Sequence, residues 1–257
     1  MPILKIRGLT HYFGGLRAVH DFNLDLEEGE LIGIIGPNGA GKTTVFNLIT
    51  GVYRPTAGEI IFNGHNLVGK RPEQIVSLGI ARTFQTLRLF RNLTVLDNVR
   101  IARFSRLKYS PLEAMFKVGR SVRESERETR LKCMELLEIM GLADKADWVA
   151  SGLPYGLQKR LEIARALASE PRLLLLDEPA AGMNPAEISE LMELIQWIRR
   201  EFGLTIILIE HQMRVVMGIC ERIKVLDFGE TIAEGPPAEI QNNPRVIEAY
   251  LGEEAVV

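Results

Sequence analysis

Gly36-Pro-Asn-Gly-Ala-Gly41-Lys42-Thr43-Thr44 decides the fold of this chain, because it matches the phosphate-binding pattern G-x-x-x-x-G-K-[ST] at every fixed position. The segment 30–35 before it is short and mostly apolar, as a buried strand would be, and 45–49 after it continues as a helix. Strand, glycine-rich loop and helix form the setting in which this pattern binds phosphates. The stretch therefore predicts a nucleotide-binding site.

The residue types of this loop suit ATP and Mg²⁺, which we predict as cofactors. Glycines let backbone N–H groups converge on phosphate oxygens, and the following helix adds the partial positive charge of its N-terminus. Lys42 would reach the β- and γ-phosphates, and the Thr43 hydroxyl would bind Mg²⁺. The alternative is a chance glycine-rich turn with a solvated lysine, which the flanking pattern argues against. The predicted nucleotide contacts are Gly36, Pro37, Asn38, Gly39, Ala40, Gly41, Lys42, Thr43 and Thr44.

Size and composition predict an ordinary globular protein. The chain has 257 residues, of which 46% are hydrophobic and 25% charged, with a net charge of −2. This charge gives no overall case for nucleic-acid binding. Cys133 and Cys220 lack metal-ligand spacing and are interpreted as buried thiols in a reducing compartment, with a disulfide as the less favoured alternative. We find no apolar run long enough for a signal peptide or a membrane span, so we expect a cytosolic protein that meets the membrane only through a partner.

The pattern of apolar residues predicts several strands. Residues 3–9 and 19–27 alternate apolar and polar positions, which favours half-buried antiparallel strands. A further strand is expected over 59–62, before the turn Asn63-Gly64, and a hairpin over 223–233. The apolar runs 173–176 and 205–209 alternate with a helical stripe from Ile188 to Ile198. Such runs predict a parallel sheet covered on both faces.

Residues 93–142 predict a helical insertion in this α/β core. Thr94-Val-Leu-Asp97 is typical of a helix start. Residues 120–142 carry a dense run of charges, which we interpret as the solvated face of an amphipathic helix. Acidic and basic residues are mixed there, so a nucleic-acid patch is the weaker interpretation.

Three candidate catalytic segments follow apparent strands. Asp177 and Glu178 end an apolar run, and the carboxyl edge of a parallel sheet is where ligands of such folds collect. Asp177 would hold Mg²⁺, and Glu178 would be the general base for the attacking water. Gln85 would touch Mg²⁺ and this water, and His211 would donate to the γ-phosphate. Either residue alone is more often an ordinary surface residue.

The segment Leu153-Pro-Tyr-Gly156-Leu-Gln-Lys-Arg-Leu-Glu-Ile-Ala-Arg-Ala-Leu167 resembles the signature segment of ABC-type ATPases, a helix entered through a glycine-containing turn. With the phosphate loop, Gln85, Asp177–Glu178 and His211, all parts occur in that family's order. The resemblance covers essentially the whole chain. It implies one ABC nucleotide-binding domain over 1–257: a P-loop NTPase of α/β class, with a RecA-like parallel-sheet core, an antiparallel β subdomain and a helical signature subdomain at approximately 88–165.

The resemblance also implies roles for three aromatic or glycine positions. Phe13 would stack on adenine, with Tyr12 as the second choice and core packing as the alternative for both. In a head-to-tail dimer, the signature turn of one subunit closes over the ATP of the other. Tyr155 and Gly156 would then contact the opposite nucleotide.

Three positions depart from the family pattern. Pro154 and Leu157 stand where the signature usually has serine and glutamine, and Asn184 stands where an aspartate is usual. Proline has neither a hydroxyl nor an N–H, so one phosphate contact is lost. We therefore expect this chain's contribution to the opposite site to be weaker than its own half-site, which favours a heterodimer with unequal sites, although a homodimer stays open.

Three segments, Gly79–Gln85, the insertion after Asn98 and the tail 235–251, are similar to the longer of the two paired ATPases of branched-chain amino-acid importers. This implies two polytopic permeases, a second ATPase, an indirectly coupled periplasmic binding protein, and a peripheral location at the cytoplasmic face of the inner membrane. Leu87, Leu89 and Phe90 would help form the permease groove, or else pack in the interior.

Other classes remain open from the sequence. One is a soluble, non-transport ABC ATPase of the iron–sulfur assembly type. Another is a module that uses ATP mainly as a dimerisation switch. Urea or lipopolysaccharide transport would be a near neighbour of the preferred function.

Overall fold

The computed structural model of the chain describes residues 2–103 and 120–254. Residues 104–119, which belong to the predicted helical insertion, lie outside them. The chain divides into two compact units, one of Met1–Gln85 with Arg172–Val257 and one of Thr86–Pro171. The first unit contains two sheets, and the second is built from helices.

The strands of the first unit form one antiparallel and one mainly parallel sheet. In chain order they are β1 (Leu4–Phe13), β2 (Leu16–Leu26), β3 (Leu31–Ile35), β4 (Ala57–Phe62), β5 (His65–Asn66), β6 (Ile80–Arg82), β7 (Leu173–Asp177), β8 (Thr205–Ile209), β9 (Arg222–Asp227) and β10 (Glu230–Gly235). The four-stranded sheet has the order β2-β1-β4-β5, and the six-stranded sheet the order β10-β9-β3-β8-β7-β6. The predicted α/β architecture is confirmed.

The six-stranded sheet is parallel except for its edge strand β10. Every residue of β3, β7 and β8 is buried, which is why their sequences are apolar on both faces. Asp177 lies beside Ile209 in this register, so both strands finish at the same edge. The polar residues that follow β7 and β8 are therefore delivered to one place.

The predicted half-buried strands and turns are also found. β1 and β2 are antiparallel and show the alternating burial that their sequences predict. Asn63 and Gly64, which end β4, have positive φ angles of 47° and 77°. The β9–β10 hairpin turns through Phe228 and Gly229, with φ angles of 43° and 81°, as a tight two-residue turn between twisted strands requires.

The helices cover these sheets in the first unit and form the core of the second. They are α1 (Lys42–Ile49), α2 (Pro72–Leu78), α3 (Val95–Arg103), α4 (Arg120–Ile139), α5 (Tyr155–Leu167), α6 (Pro185–Glu201), α7 (Met213–Ile219), α8 (Pro237–Gln241) and α9 (Pro244–Glu254). The predicted stripe from Ile188 to Ile198 is the buried face of α6. The helices α2, α7, α8 and α9 were not predicted.

In the second unit, α3 packs against α4 and α5. Thr94 starts α3 as expected, since its hydroxyl accepts a hydrogen bond from the Asp97 amide at 3.0 Å. The Asp97 carboxylate accepts a bond from this hydroxyl rather than reaching back to the backbone, which differs from a full capping box. Cys133, Leu137 and Met140 are fully buried, so the C-terminal part of the charged segment has the predicted apolar face.

Within residues 2–103 and 120–254, no helix is long and apolar enough to cross a membrane.

Candidate active site

The phosphate loop joins β3 to α1, and sterics fix its glycines. Gly36 has φ 149°, and a Cβ there would lie 2.0 Å from the Leu226 carbonyl oxygen. Gly41, at the N-cap of α1, has φ 99°, and its Cβ would lie 2.4 Å from the Ala18 oxygen. Any side chain at either position would collide with backbone. The loop therefore needs glycine both for its conformation and for its packing.

Lys42 is the first residue of α1 and is only 5% exposed. Its Nζ donates hydrogen bonds to the carbonyl oxygens of Gly36 at 2.7 Å and Pro37 at 2.8 Å. The ammonium group is thus held across the mouth of the loop. Gly41 makes no side-chain cap, so the N-terminus of α1 presents backbone to the same place.

A cavity of about 590 Å³ opens over this loop, a size typical of ligand sites. Most of the predicted site residues in the first unit line it. Its lining is Phe13, Leu16, Arg17, Ala18, Asn38, Gly39, Ala40, Gly41, Lys42, Thr43, Thr44, Gln85, Glu178, His211 and Phe228. Gly36, Pro37 and Asp177 are absent from this lining. Gly36 and Pro37 shape the loop, since their carbonyl oxygens hold the Lys42 ammonium group.

Phe13 and Tyr12, the two aromatic candidates for the adenine, differ in their surroundings. Phe13 lines the cavity and is 43% exposed, with ring contacts to His11 and Tyr53. Tyr12 is similarly exposed but is not part of the lining. Core packing is therefore not the environment of Phe13. Phe228, which sequence reasoning missed, also lines the cavity and is 81% exposed; the only signal for it was its place beside the hairpin glycine.

Glu178 is the centre of the polar cluster. Its Oε2 accepts a hydrogen bond of 2.9 Å from Nε2 of Gln85, and its Oε1 lies 3.0 Å from Nε2 of His211. An ionised carboxylate only accepts, so the second contact needs a hydrogen on His211 Nε2. Three residues separated by up to 126 positions in sequence thus meet through one carboxylate. The sequence predicted these residues but not their mutual contacts.

Asp177 is held differently from its neighbour. Its Oδ2 pairs with the Arg82 guanidinium at 2.7 Å, and the two side chains are 1% and 5% exposed. Arg82 also donates to Asn47 of α1 at 2.7 Å. A buried ion pair depends on both partners, because removing one leaves an uncompensated charge. Sequence reasoning missed Arg82, although a charged residue within the short strand before Gln85 was an available signal.

The signature residues lie in the second unit, at the start of α5. Pro154 is the N-cap and gives no side-chain hydrogen bond. Tyr155 is 44% exposed, and burial, followed by the nearby Glu162 charge, raises the pKa of its phenol. Gly156 is the second residue of the helix, so the expected glycine turn before the helix is wrong: the helix has already begun there. Proline is tolerated at this N-cap because its missing N–H would have had no partner within the helix.

Asn184, the third departure from the family pattern, caps α6. Its Oδ1 accepts hydrogen bonds from the amides of Ala186 at 2.9 Å and Glu187 at 3.1 Å. The Glu187 carboxylate in turn accepts a hydrogen bond from the Asn184 amide at 2.9 Å, which completes a capping box. Capping of α6 is therefore a structural reason for an asparagine at position 184.

A parallel sheet, a glycine loop leading into a helix, and a carboxylate cluster beside it define a P-loop nucleotide-binding protein. Comparison with known families identifies which one. Residues 19–181 match the family described as ABC transporter, and residues 230–256 match the family described as branched-chain amino acid ATP-binding cassette transporter. The chain belongs to the ABC transporter family and is an ABC-type ATPase, as its sequence predicted.

Individual relatives agree with this assignment along nearly the whole chain. The high-affinity branched-chain amino acid transport ATP-binding protein LivG of Escherichia coli K12 is 48% identical over 252 residues, 98% of each chain. BraF of Pseudomonas aeruginosa, which carries the same description, is 46% identical over 98% of each chain. A crystal structure of an ATP-binding cassette of an ABC transporter in its ADP conformation is 30% identical with TM-score 0.83, and covers 98% of this chain and 99% of that one. These matches confirm the fold class and the family.

Proposed function

We propose that this chain hydrolyses ATP to power import of branched-chain amino acids through separate permease subunits. The relatives named for branched-chain amino acid transport, and the match of the tail to the corresponding family, support this substrate class. The observation that carries the catalytic part is the Glu178 carboxylate, which contacts Gln85 and His211 at the cavity over the phosphate loop. None of these relatives is named for iron–sulfur assembly, urea or lipopolysaccharide.

In the proposed reaction a water attacks the γ-phosphorus as the bond to ADP breaks. Glu178 accepts the proton of this water and passes it on to the phosphate product. Gln85 and His211 orient the carboxylate and the water through the contacts that they make with Glu178. Lys42 and the N-terminus of α1 hold the phosphates and stabilise their charge. Phe13 provides the surface for adenine.

The donor chemistry of the site also fits Mg²⁺, which prefers oxygen ligands. The hydroxyl of Thr43, the amide oxygen of Gln85 and the carboxylate of Asp177 are the proposed ligands or holders of its bound water. When bound, the ion would neutralise phosphate charge. Arg82 keeps the Asp177 carboxylate in one orientation, because its guanidinium bonds to Oδ2.

We further propose that two ATPase subunits close head to tail. Tyr155 and Gly156 would then contact the nucleotide held by the partner, by means of the N-terminus of α5. Pro154 contributes no hydroxyl there, so we expect a heterodimer in which this chain completes the opposite site only weakly. A purified homodimer that hydrolyses ATP equally at both sites would contradict this part.

The permease contact would involve Leu87, Leu89 and Phe90 of the second unit. Phe90 is 47% exposed, with the Arg165 guanidinium 5.4 Å from its ring centre, and this exposure supports the proposed contact over interior packing. The subunit would then act at the cytoplasmic face of the inner membrane, with the periplasmic binding protein coupled only through the permeases.

Affinity capture of the tagged chain from detergent-solubilised membranes, with partners identified by mass spectrometry, tests the assembly. We expect two polytopic permeases and a second, shorter ATPase, and none of these with the tag alone. Recovery of soluble partners only would contradict transport.

Reconstitution of the captured complex in proteoliposomes tests the substrate. We expect leucine, isoleucine or valine, added with the binding protein, to stimulate ATP hydrolysis. A complex stimulated by urea but by none of these amino acids would keep the ATPase assignment and overturn the substrate. The same assay with Lys42→Ala subunits gives the background rate.

A further inference from the structure

We propose that Glu210, together with Gln212, is a positioning residue that fixes His211 against Glu178. This inference rests on the proposed catalytic roles of Glu178 and His211. It assigns a task to a buried carboxylate that lies next to the catalytic cluster and that the reaction itself does not use. The two residues flank His211 in sequence and hold the same backbone segment from two sides.

Glu210 is 2% exposed and accepts hydrogen bonds from three backbone amides. Its Oε1 accepts from Ala180 at 2.7 Å, and its Oε2 accepts from His211 at 3.1 Å and Gln212 at 3.3 Å. Ala180 is two residues beyond Glu178. One side chain therefore ties the loop after β7 to the loop after β8, and both carboxylate oxygens are used.

Gln212 joins the same two loops by a hydrogen bond whose donor lies in the loop after β8. Its Nε2 donates to the Ala180 carbonyl oxygen at 3.2 Å, so the N–H and the C=O of Ala180 are both held by residues flanking His211. A further link joins the Glu178 amide to the Ile209 carbonyl oxygen at 2.9 Å. With the side-chain contact between Glu178 and His211, the two loops are joined at three places, and the bond to Ile209 ties Glu178 to the end of β8.

Glu178 needs such support because its backbone is strained. It has a φ of 48°, in the left-handed region that a non-glycine residue rarely adopts. Such a conformation persists only where the surroundings over-determine it. The bonds to Ala180 and to the Glu178 amide provide this constraint, and they fix the direction in which the Glu178 side chain leaves the sheet.

The charge of Glu210 matters for this task. Burial raises the pKa of its carboxyl group above the ordinary value for glutamate; the hydrogen bonds from the amides of Ala180, Gln212 and His211 offset only part of this, and the nearby Glu178 charge raises it slightly further. A carboxylate accepts at both oxygens, but an amide side chain accepts at only one and would turn its NH₂ toward a backbone N–H. Glu210→Gln keeps the shape of the side chain and must lose at least one of the three contacts.

We expect Glu210→Gln in the full chain to lower kcat for ATP hydrolysis by about 10- to 100-fold, since small misplacements of catalytic groups cost this much. ATP affinity should stay within a factor of about two, because the hydrogen bonds that Glu210 accepts come from Ala180, His211 and Gln212 and not from the phosphate loop. Hydrogen exchange provides a readout independent of activity. At least one of the amides of Ala180, His211 and Gln212 should lose protection in the variant, whereas the Glu178 amide, bonded to Ile209, should keep most of it.

A double-mutant cycle separates positioning from general stability. If Glu210 acts through His211, Glu210→Gln should have little further effect on kcat in a His211→Ala background. A purely structural residue would lower the melting temperature and reduce kcat equally in both backgrounds. Gln212→Ala, which removes one bond only, should change kcat and Ala180 exchange in the same direction by a smaller factor, and it serves if Glu210→Gln does not fold.

Glu221→Gln is the matched control. Glu221 also accepts a bond from a backbone amide, that of Leu31 at 3.3 Å, but at the opposite ends of the strands. The kcat of the Glu221→Gln variant should equal that of the wild-type chain. Unchanged kcat in Glu210→Gln, an equal loss of ATP affinity, or unaltered exchange at the three amides would overturn the inference. If the wild-type chain hydrolyses no ATP in any assembly, the proposed function fails. The exchange measurement still decides whether Glu210 holds the three backbone amides.

Discussion

The phosphate loop of the first unit and the signature segment of the second differ in how strictly the structure constrains them. Gly36 and Gly41 each lie against backbone, so no other residue fits there. The signature segment is the first turn of α5, where Pro154 takes the N-cap without any side-chain bond. A helix N-terminus attracts phosphate through its backbone, whatever caps it. The phosphate loop therefore tolerates little change, whereas the signature segment, which we propose faces the opposite nucleotide, tolerates substitution.

Glu178→Gln should give the largest effect, because it removes the proposed general base and keeps the proposed phosphate contacts. We expect ATP hydrolysis to fall by about 10²- to 10⁴-fold with ATP binding retained. An ATP-bound dimer should accumulate, measurable by size-exclusion chromatography with light scattering. Glu193→Gln, on the exposed side of α6, is the control. A wild-type rate in Glu178→Gln would mean that another group is the base.

Lys42→Ala should weaken nucleotide binding rather than the chemical step alone. A charged hydrogen-bonding group is lost, so we expect ATP affinity to fall by about 10- to 100-fold in a fluorescence titration. The exposed Lys5→Ala controls for loss of a positive charge. If Tyr155→Ala weakened binding to the isolated chain as much as Lys42→Ala did, the two regions would not differ as proposed.

Local sequence patterns predicted the phosphate loop and the strands around it well, because the structure of each depends on a short segment of the chain. The loop, the strand before it and the helix after it follow from residues 30–49, and the alternation in β1 and β2 needed only their own sequences. The contacts of Glu178 could not be predicted, since Gln85, Glu178 and His211 meet only after β7 and β8 align in the sheet. Predicting Asp177 as a ligand likewise missed its buried partner.

The second region was harder to predict, for a physical reason. A helix start depends on backbone angles, and Pro154 supplies a suitable N-cap without any of the usual capping side chains. Gly156 therefore suggested a turn, although the helix already includes it.

In the first unit, Arg82 and Glu210 are charged residues buried by their tertiary partners, which local sequence does not reveal.

Pro154→Ser tests whether the signature segment is the weaker half. A serine at the N-cap would give α5 a capping bond and offer a hydroxyl to the opposite nucleotide. We expect an increase of at most about tenfold in the ATPase rate of the assembled complex, the value of one hydrogen bond. Pro154→Ala should not reproduce the gain. An equal gain in both variants would assign it to release of the proline ring.

The two cysteines report the local stability of the two units, one with the phosphate loop and one with the signature segment. We expect the smallest of the predicted effects here. Cys220 lies in the first unit below β3, where a Cβ on Gly33 would come within 3.0 Å of its Sγ, and Cys133 is buried in the second unit. Burial raises the pKa of Cys220 to about 12 and also raises that of Cys133. At pH 8 both should react with iodoacetamide only after local opening.

ATP should slow labelling of Cys220 more than that of Cys133, because a ligand of the phosphate loop stabilises the unit that holds it. Peptide mapping after timed alkylation at pH 8 gives both rates, with Lys42→Ala chain as the control without tight binding. The raised pKa of Cys220 also determines how the free energy of unfolding changes with pH. The folded chain keeps the thiol proton to a higher pH than the unfolded chain does, so the contribution of Cys220 to stability is complete below pH 9.0 and is lost as pH rises toward about 12. Equal protection of both thiols by ATP in the isolated chain would indicate that the nucleotide stabilises the signature segment as strongly as the phosphate loop, and the difference between the two regions would then not extend to their stability.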